Sequence, residues 1–162
     1  MVSCGPEVQL WKASFVTGIR PVVLQARSFV TMMHWTVEVS WQQHTLGCYI
    51  IFCRREEVRL ETELKHRELI ELNSIKGDMK MVLDYLTDFK PDHYNHLQLG
   101  NNLPLLHIHG IPRYAGERNF AGKVWRDPTW VHLPPWTSEK ATPELIHALR
   151  TAIRRHLPVQ DD

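Results

Sequence analysis

The stretch LGNNLPLLHIHGIPRY, residues 99–114, carries the most informative pattern of this chain. Successive side chains of an extended strand alternate between its two faces, so His107 and His109 project to the same side. Leu106 and Ile108 then point to the other side, where apolar side chains can be buried against a core. Two imidazoles on one face predict a small site that holds an anion, a metal ion or a proton in transit.

Length and composition favour one globular domain. The chain has 162 residues, 43% of them hydrophobic, and a formal net charge of +1, which gives no bulk argument for nucleic acid or a membrane surface. No stretch approaches the ~18 uninterrupted apolar residues of a spanning helix. The three cysteines show no CxxC pairing, which favours a reducing compartment. We therefore expect a soluble, cytoplasmic protein without a nucleic-acid or membrane partner.

Segments on either side of the histidines predict further strands. The alternation in WTVEVSW, residues 35–41, is typical of a half-buried strand, and CYIIF, residues 48–52, of a more continuously apolar one. HYNHLQL, residues 93–99, and LLHIHGI, residues 105–111, predict two more strands. Because a short loop through Gly100 joins them, these two are expected to form an antiparallel hairpin.

Two helices complete the predicted α+β fold. Apolar residues spaced three to five apart over residues 64–86 predict a long helix, with Thr62 as its N-cap and Pro91 ending it. A terminal helix is predicted from about residue 143 to 156, with Thr142 as its N-cap. The order of strands, helix, strands and helix indicates an antiparallel sheet of about five strands with one long helix and a C-terminal helix.

The N-terminal part has a different character. Residues 1–33 are interpreted as an extension, and residues 34–162 as the main domain. An acid-poor, basic segment of this kind resembles an organellar presequence. It can instead supply an extra strand or strand pair from SFVTG, residues 14–18, and RPVVLQ, residues 20–25, or lie upstream of a natural start at one of the methionines 32–33. The second and third interpretations are favoured jointly.

The residues from Gly100 onward resemble the histidine triad (HIT) signature, in which alternating histidines and apolar residues run into Ile-Pro-Arg. The match is most similar to the bacterial branch of dinucleoside-polyphosphate hydrolases and other HIT hydrolases. TLGCYIIF (45–52), FKPDHYNHLQLGN (89–101) and ERNFAGKVWRDPTW (117–130) resemble neighbouring segments of that branch. The resemblance covers about residues 35–135. It implies a HIT-like fold and, by analogy with family members, a homodimer.

One position departs from the signature. The triad has three histidines at alternate positions, and the first of these is Leu105 in this chain. By register, the family's nucleophilic histidine falls on His107 and the third member on His109. The missing histidine is understood in the family as a supporting group for tautomer and orientation, so the attacking nitrogen remains in place.

The resemblance also implies a reaction. One imidazole nitrogen attacks the α-phosphorus of a nucleotide, and water then releases the nucleoside monophosphate from the nucleotidyl-histidine. A neutral imidazole is a competent nucleophile near pH 7, and a protonated His109 would stabilise the developing negative charge. The residues predicted to bind substrate are Asn95, Gly100, Asn101 and Asn102 at the phosphates, and Trp35, Val37 and Ile51 around the base and sugar. No cofactor is required, although a divalent cation can accompany the substrate phosphates.

Other interpretations of these residues remain open. The chain can be a nucleotide-binding protein that lost full catalysis, with Leu105 as the mark of that loss. His107 and His109 can instead be two ligands of a metal ion, together with His93 or His96 of the paired strand.

Several polar residues also have ordinary structural interpretations. Asn101 and Asn102 suit a turn, and Arg113 suits a solvated charge at the edge of the sheet. The remaining histidines, including His44, suit the protein surface.

Overall fold

The computed structural model describes residues 28–134 and 139–157, which form a five-stranded antiparallel sheet, a separate hairpin and two α-helices. The elements are β1 (Ser28–Thr31), β2 (Trp35–Val39), β3 (Tyr49–Cys53), α1 (His66–Tyr85), β4 (His93–Gln98), β5 (His107–Arg113), β6 (Arg118–Phe120), β7 (Lys123–Trp125) and α2 (Pro143–Arg154). The sheet has the order β1-β2-β3-β5-β4, and β6 pairs with β7. This architecture confirms the predicted α+β class with five strands, a long helix and a C-terminal helix.

The two faces of the sheet follow from the strand registers. Ile108 of β5 pairs with Ile51 of β3, which pairs with Val37 of β2, so these residues share one face. That face, here called the helix face, carries the main core with α1 and α2, including the buried Leu72, Ile75, Met79, Leu83, Ile146 and Leu149. The opposite face carries His107 and His109 and is called the histidine face.

The expected half-buried character of β2 is wrong. All five of its residues are buried, and Thr36 and Glu38 are each only 1% exposed. These two side chains lie on the histidine face, because Thr36 pairs with Phe52 and Glu38 with Ile50. Alternating polarity in a sequence shows which side chains of a strand share a face, but it does not show whether other parts of the protein cover that face.

The helix boundaries differ at one end. The long helix begins at His66, while Thr62, the predicted N-cap, lies in a 3₁₀ turn over Glu61–Glu63. The start is fixed by Glu68, whose carboxylate accepts a hydrogen bond from the backbone N–H of Lys65 at 2.6 Å. The predicted cap of α2 is confirmed, since the hydroxyl of Thr142 accepts from the N–H of Leu145 at 3.3 Å.

The sheet begins before the predicted domain boundary. β1 pairs with β2, with Thr31 opposite Thr36, so a division at residue 33 would separate two hydrogen-bonded strands. The strands predicted at residues 14–18 and 20–25 lie outside the described residues. Within the described ranges, neither α-helix combines the length and apolar character needed to cross a membrane.

Candidate functional site

The two histidines of β5 lie side by side on one face. The ring centroids of His107 and His109 are 5.0 Å apart, and the rings meet at 68°. Leu106 and Ile108 face the core on the other side and are 0% and 1% exposed. The alternation along β5 is therefore the one that the sequence predicts.

Main-chain geometry orients the His107 imidazole. Its Nδ1 lies 2.7 Å from the carbonyl oxygen of Leu105. A carbonyl oxygen only accepts hydrogen bonds, so Nδ1 carries the proton and Nε2 carries a lone pair. The ring also stacks on Phe52 at a centroid distance of 5.8 Å. Backbone at position 105 thus fixes tautomer and orientation, whichever side chain stands there.

The Leu105 side chain closes one end of the site with apolar surface. It is 8% exposed and packs against Phe52, with Ile50 and Leu103 beside it. A histidine at this position would bring a third imidazole to the row. Leucine brings no hydrogen-bonding group, so the side chain at 105 can only pack.

Burial sets the charge of the histidines. It lowers the pKa of His107, and it lowers that of His109 to about 4, with His107 and His44 contributing to the latter shift. Both rings are therefore neutral at pH 7, whereas the charge-stabilising role expected of His109 requires a protonated ring. A bound phosphate would favour the protonated form again, because an opposite charge nearby raises the pKa of an imidazole.

His44 is part of this environment and is missed by sequence reasoning. It is 8% exposed, so its assignment to the surface is wrong, and burial lowers its pKa. It lies in the β2–β3 connection, which Gln43 holds in place. The Gln43 side chain donates to the carbonyls of Ser40 and Cys48 at 2.8 Å each, and accepts from two backbone N–H groups. The charge pattern of the sequence gives no signal for this burial.

Arg113 is buried and not solvated. It is 3% exposed and forms an ion pair with Asp127, whose side chain is fully buried. It also donates to the carbonyls of Thr129 at 2.6 Å and His132 at 3.2 Å. The expected solvated role is wrong because residues 127–132 fold over the end of β5 and bring these acceptors to the guanidinium.

Asn95 is oriented by the same guanidinium. Arg113 donates to its Oδ1 at 2.8 Å, which leaves the amide N–H groups of Asn95 for other partners. Asn95 lies on the histidine face, two residues before Leu97, which pairs with His109. An amide donor is therefore present on this face, as the phosphate-binding hypothesis requires.

The loop between β4 and β5 carries the other predicted phosphate ligands. Gly100, Asn101 and Asn102 are exposed, and no neighbouring atom would lie within 4 Å of a Cβ added at Gly100. The end of the loop is anchored, because Leu106 donates to the carbonyl of Val58 at 2.8 Å. These three residues are accessible from solvent at the start of the histidine strand.

The three predicted base and sugar contacts are wrong. Trp35, Val37 and Ile51 are 0–1% exposed and lie on the helix face, opposite the histidines. The indole Nε1 of Trp35 donates to the carbonyl of Glu68 in α1 at 2.9 Å. Strand parity decides this outcome, since residues in register with Ile108 cannot share a face with His107.

The two histidines suggested as further metal ligands do not lie beside His107 and His109. His96 lies on the helix face, where its Nε2 is 3.0 Å from the Tyr49 hydroxyl. His93 pairs with Arg113, four residues along the strand from His109. Across residues 28–134 and 139–157, no group of three or more His, Cys, Asp or Glu side chains could hold a metal ion.

Comparisons with known proteins give one result, at the level of fold. No family model matches the sequence, and no curated protein matches it. Among solved structures, a histidine triad protein from Marinobacter aquaeolei VT8 is similar, with 23% identity, a TM-score of 0.59 and coverage of 83% of this chain and 92% of that one. A histidine triad protein from Bradyrhizobium japonicum has 20% identity and a TM-score of 0.59, covering 85% and 96%.

A third similar structure has a stated activity. The diadenosine triphosphate hydrolase of Plasmodium falciparum has 13% identity and a TM-score of 0.57, covering 81% of this chain and 76% of that one. At identities this low, the structural similarity shows a shared fold, and the function of each chain has to be argued from its own residues. The chain therefore has the fold of histidine triad proteins, as the resemblance of its motifs predicts.

Proposed function

We propose that this protein is a nucleotide hydrolase or transferase of the HIT type. It would cleave a phosphoanhydride or phosphoramidate at the α-phosphate of a nucleotide, with a dinucleoside polyphosphate as the model substrate. The observation that carries the proposal is the hydrogen bond from His107 Nδ1 to the Leu105 carbonyl, which leaves Nε2 as a lone-pair nucleophile. The fold shared with a diadenosine triphosphate hydrolase supports the same class of chemistry.

The reaction has two balanced steps. His107 Nε2 donates its lone pair to the α-phosphorus, a P–N bond forms, and the bond from phosphorus to the leaving group breaks with its electron pair on the leaving group. Water then attacks the phosphorus, the P–N bond breaks, and its pair returns to Nε2 while the proton of the water passes to solvent. The leaving group takes up one proton from solvent, which balances the proton that the water releases, so the products are a nucleoside monophosphate and the protonated leaving group.

The neighbouring groups have supporting roles in this proposal. The Asn95 amide would donate to non-bridging phosphate oxygens, and Gly100, Asn101 and Asn102 would hold the phosphates at the loop. His109 would take up a proton once a phosphate is bound, because the anion raises its pKa. A divalent cation would enter with the substrate phosphates, and no resident cofactor is required.

The test is turnover with trapping of the intermediate. Diadenosine triphosphate and adenosine 5′-phosphoramidate are incubated with the protein, and acid-sensitive adenylylation is measured by mass spectrometry after rapid quenching. His107→Ala is expected to lower turnover by about 10³-fold or more and to abolish the adduct. His66→Ala, an exposed histidine at the start of α1, is the matched control. Retention of turnover in His107→Ala would contradict the proposal.

A second candidate is a nucleotide-binding protein with weak or no turnover. The observation that favours it is the apolar packing of Leu105 against Phe52 at the position of the first triad histidine. In this case the wild-type protein binds nucleotide without cleaving it, and Leu105→His raises turnover. Calorimetric binding measured beside the turnover assay separates the two candidates.

The assembly is proposed from the resemblance alone, and the compartment from the unpaired cysteine pattern of the sequence. We expect a homodimer, by analogy with the family, in the cytoplasm. Sedimentation velocity of the purified full-length chain tests the dimer, since a monomer and a dimer of a 19.0 kDa chain differ twofold in mass. A monomer at all concentrations would contradict it.

A further inference from the structure

One exposed arginine is fixed beside the histidine strand. The backbone N–H of Arg59 donates to the Glu63 carboxylate at 2.7 Å, and its carbonyl accepts from the Gln98 side chain at 3.2 Å. Its neighbour Val58 accepts from the N–H of Leu106 at 2.8 Å. The backbone at Arg59 is therefore tied to the end of β4 and to the residue that precedes β5.

The guanidinium of Arg59 is also held in place. Its Nη1 donates to the carbonyl of Pro104, and the next carbonyl along the chain, that of Leu105, accepts from His107. The guanidinium and the imidazole are thus bonded to the carbonyl oxygens of two consecutive residues, Pro104 and Leu105. An arginine fixed in this way loses little side-chain entropy when it binds an anion.

Arg59 keeps guanidinium N–H groups available for a ligand, whereas those of Arg113 are bonded to protein acceptors. Guanidinium has five N–H groups, and of these only the bond to Pro104 is made by the Arg59 side chain within the described part of the chain. No carboxylate of those residues lies within ion-pair distance of it, although the nearby Glu63 carboxylate caps the backbone. Arg113, in contrast, spends its donors on Asp127, Asn95 and two carbonyls.

We propose that Arg59 binds the leaving polyphosphate, and that the protein therefore prefers dinucleoside or nucleoside polyphosphates over phosphoramidates. This inference rests on the proposed function. Cleavage at the α-phosphate expels a group that carries several negative charges when it is a polyphosphate, and only an amine when it is a phosphoramidate. The planar guanidinium matches two phosphate oxygens, and its charge stabilises the pair of electrons that the leaving oxygen receives.

The test compares two leaving groups in one active site. Arg59→Gln is expected to lower kcat/KM for diadenosine triphosphate by about 10- to 100-fold and to leave that for adenosine 5′-phosphoramidate within about twofold. Arg59→Lys, which keeps the charge and loses the fork, is expected to be intermediate. Arg54→Gln is the matched control, because Arg54 is also exposed and also donates to backbone carbonyls, those of Met32 and Met33.

Two outcomes would overturn the inference. Equal losses for both substrates would mean that Arg59 acts only by supporting the 99–106 loop, and no loss for either would mean that it does not contact substrate. Binding separates this failure from that of the proposed function. In a His107→Ala background, where turnover is expected to be too slow to consume the ligand, Arg59→Gln is expected to weaken the binding of diadenosine triphosphate by about 10-fold or more and that of AMP by less than twofold. Equal weakening of both ligands would count against the inference even if no substrate is cleaved.

Discussion

The two faces of the five-stranded sheet are made by the same strands but bury different kinds of side chain. The helix face is closed by apolar residues such as Ile51, Leu106 and Ile108, all within 1% of complete burial. The histidine face is also largely covered, but it buries polar groups, among them Glu38, His107 and Arg113 at 1–7% exposure. Burying apolar groups is favourable without further partners, whereas each polar group needs one. The stability of the histidine face therefore depends on the pairing of particular polar side chains.

Among variants that test this difference between the faces, Arg113→Met is expected to have the largest effect on the free energy of unfolding. The substitution leaves the buried Asp127 carboxylate without its cation, which costs about 3–5 kcal/mol of unfolding free energy. Chemical denaturation monitored by tryptophan fluorescence measures the loss. Arg126→Ala breaks an ion pair with Glu117 whose side chains are 71% and 54% exposed, and it is expected to cost less than about 1 kcal/mol. Similar losses for the two variants would contradict the burial difference.

A smaller effect is expected on the helix face at Gly110. A Cβ at this position would lie 2.1 Å from the ring of Tyr49, which is itself 1% exposed. Gly110→Ala is therefore expected to destabilise by about 1–3 kcal/mol through overpacking. Gly77→Ala, in an exposed position of α1 with no atom within 4 Å, is expected to stabilise by about 0.4–1 kcal/mol. Thermal unfolding of both variants makes the comparison, and a neutral Gly110→Ala would show that Tyr49 can move.

The most gradual expected effect is the pH dependence of the histidine face, because it develops over several pH units. The pKa of His109 falls from 6.5 to about 4 on folding because burial disfavours the charged ring. The unfolded chain thus binds more protons than the folded one between these values. The contribution of His109 to the free energy of unfolding is therefore complete above pH 6.5 and is lost as the pH falls toward 4. Burial of His107 acts in the same direction.

Denaturation at pH 7, 6 and 5 checks this dependence. Stability of the wild type is expected to fall over this range, and His109→Gln is expected to fall less steeply. Glu68, whose pKa is lowered to about 2 chiefly by its hydrogen bond to Arg55, contributes to acid loss only below about pH 4.5. Parallel curves for the two proteins between pH 7 and 5 would show that His109 is not the titrating group.

The sequence predicted the fold well because its signals are local. The alternation of Leu106, His107, Ile108 and His109 and the Thr142 cap each depend on residues a few positions apart, and the structure agrees with both. The start of α1 was predicted wrongly, since it depends on Glu68 and on Arg55, 13 residues earlier. For a similar reason β1 has no local signal of its own, because it is recognised only by its pairing with β2.

The candidate site was predicted in part. The pair of histidines and the amide of Asn95 do share a face, while Trp35, Val37 and Ile51 belong to the other one. The catalytic roles of His107 and His109 and the phosphate-binding role of Asn95 remain predictions. His44 and Arg59 carry no distinctive local pattern, and the Ile-Pro-Arg motif that contains Arg113 does not indicate that this arginine is buried. The burial or anchoring of all three emerged only when distant segments were brought together.

By itself, the sequence determined that the histidines of β5 alternate with core residues, that the chain has an α+β fold, and that leucine stands at position 105, two residues before His107. The period of two along a strand and the period near 3.6 along a helix are properties of neighbouring residues, so they can be read directly. The tertiary structure alone decided which face of β2 and β3 adjoins His107, that Arg113 is paired inside the protein, and that the Leu105 carbonyl meets His107 Nδ1. These features depend on strand register and on loops folding over the sheet. A shift of one residue in register would exchange the two faces of a strand.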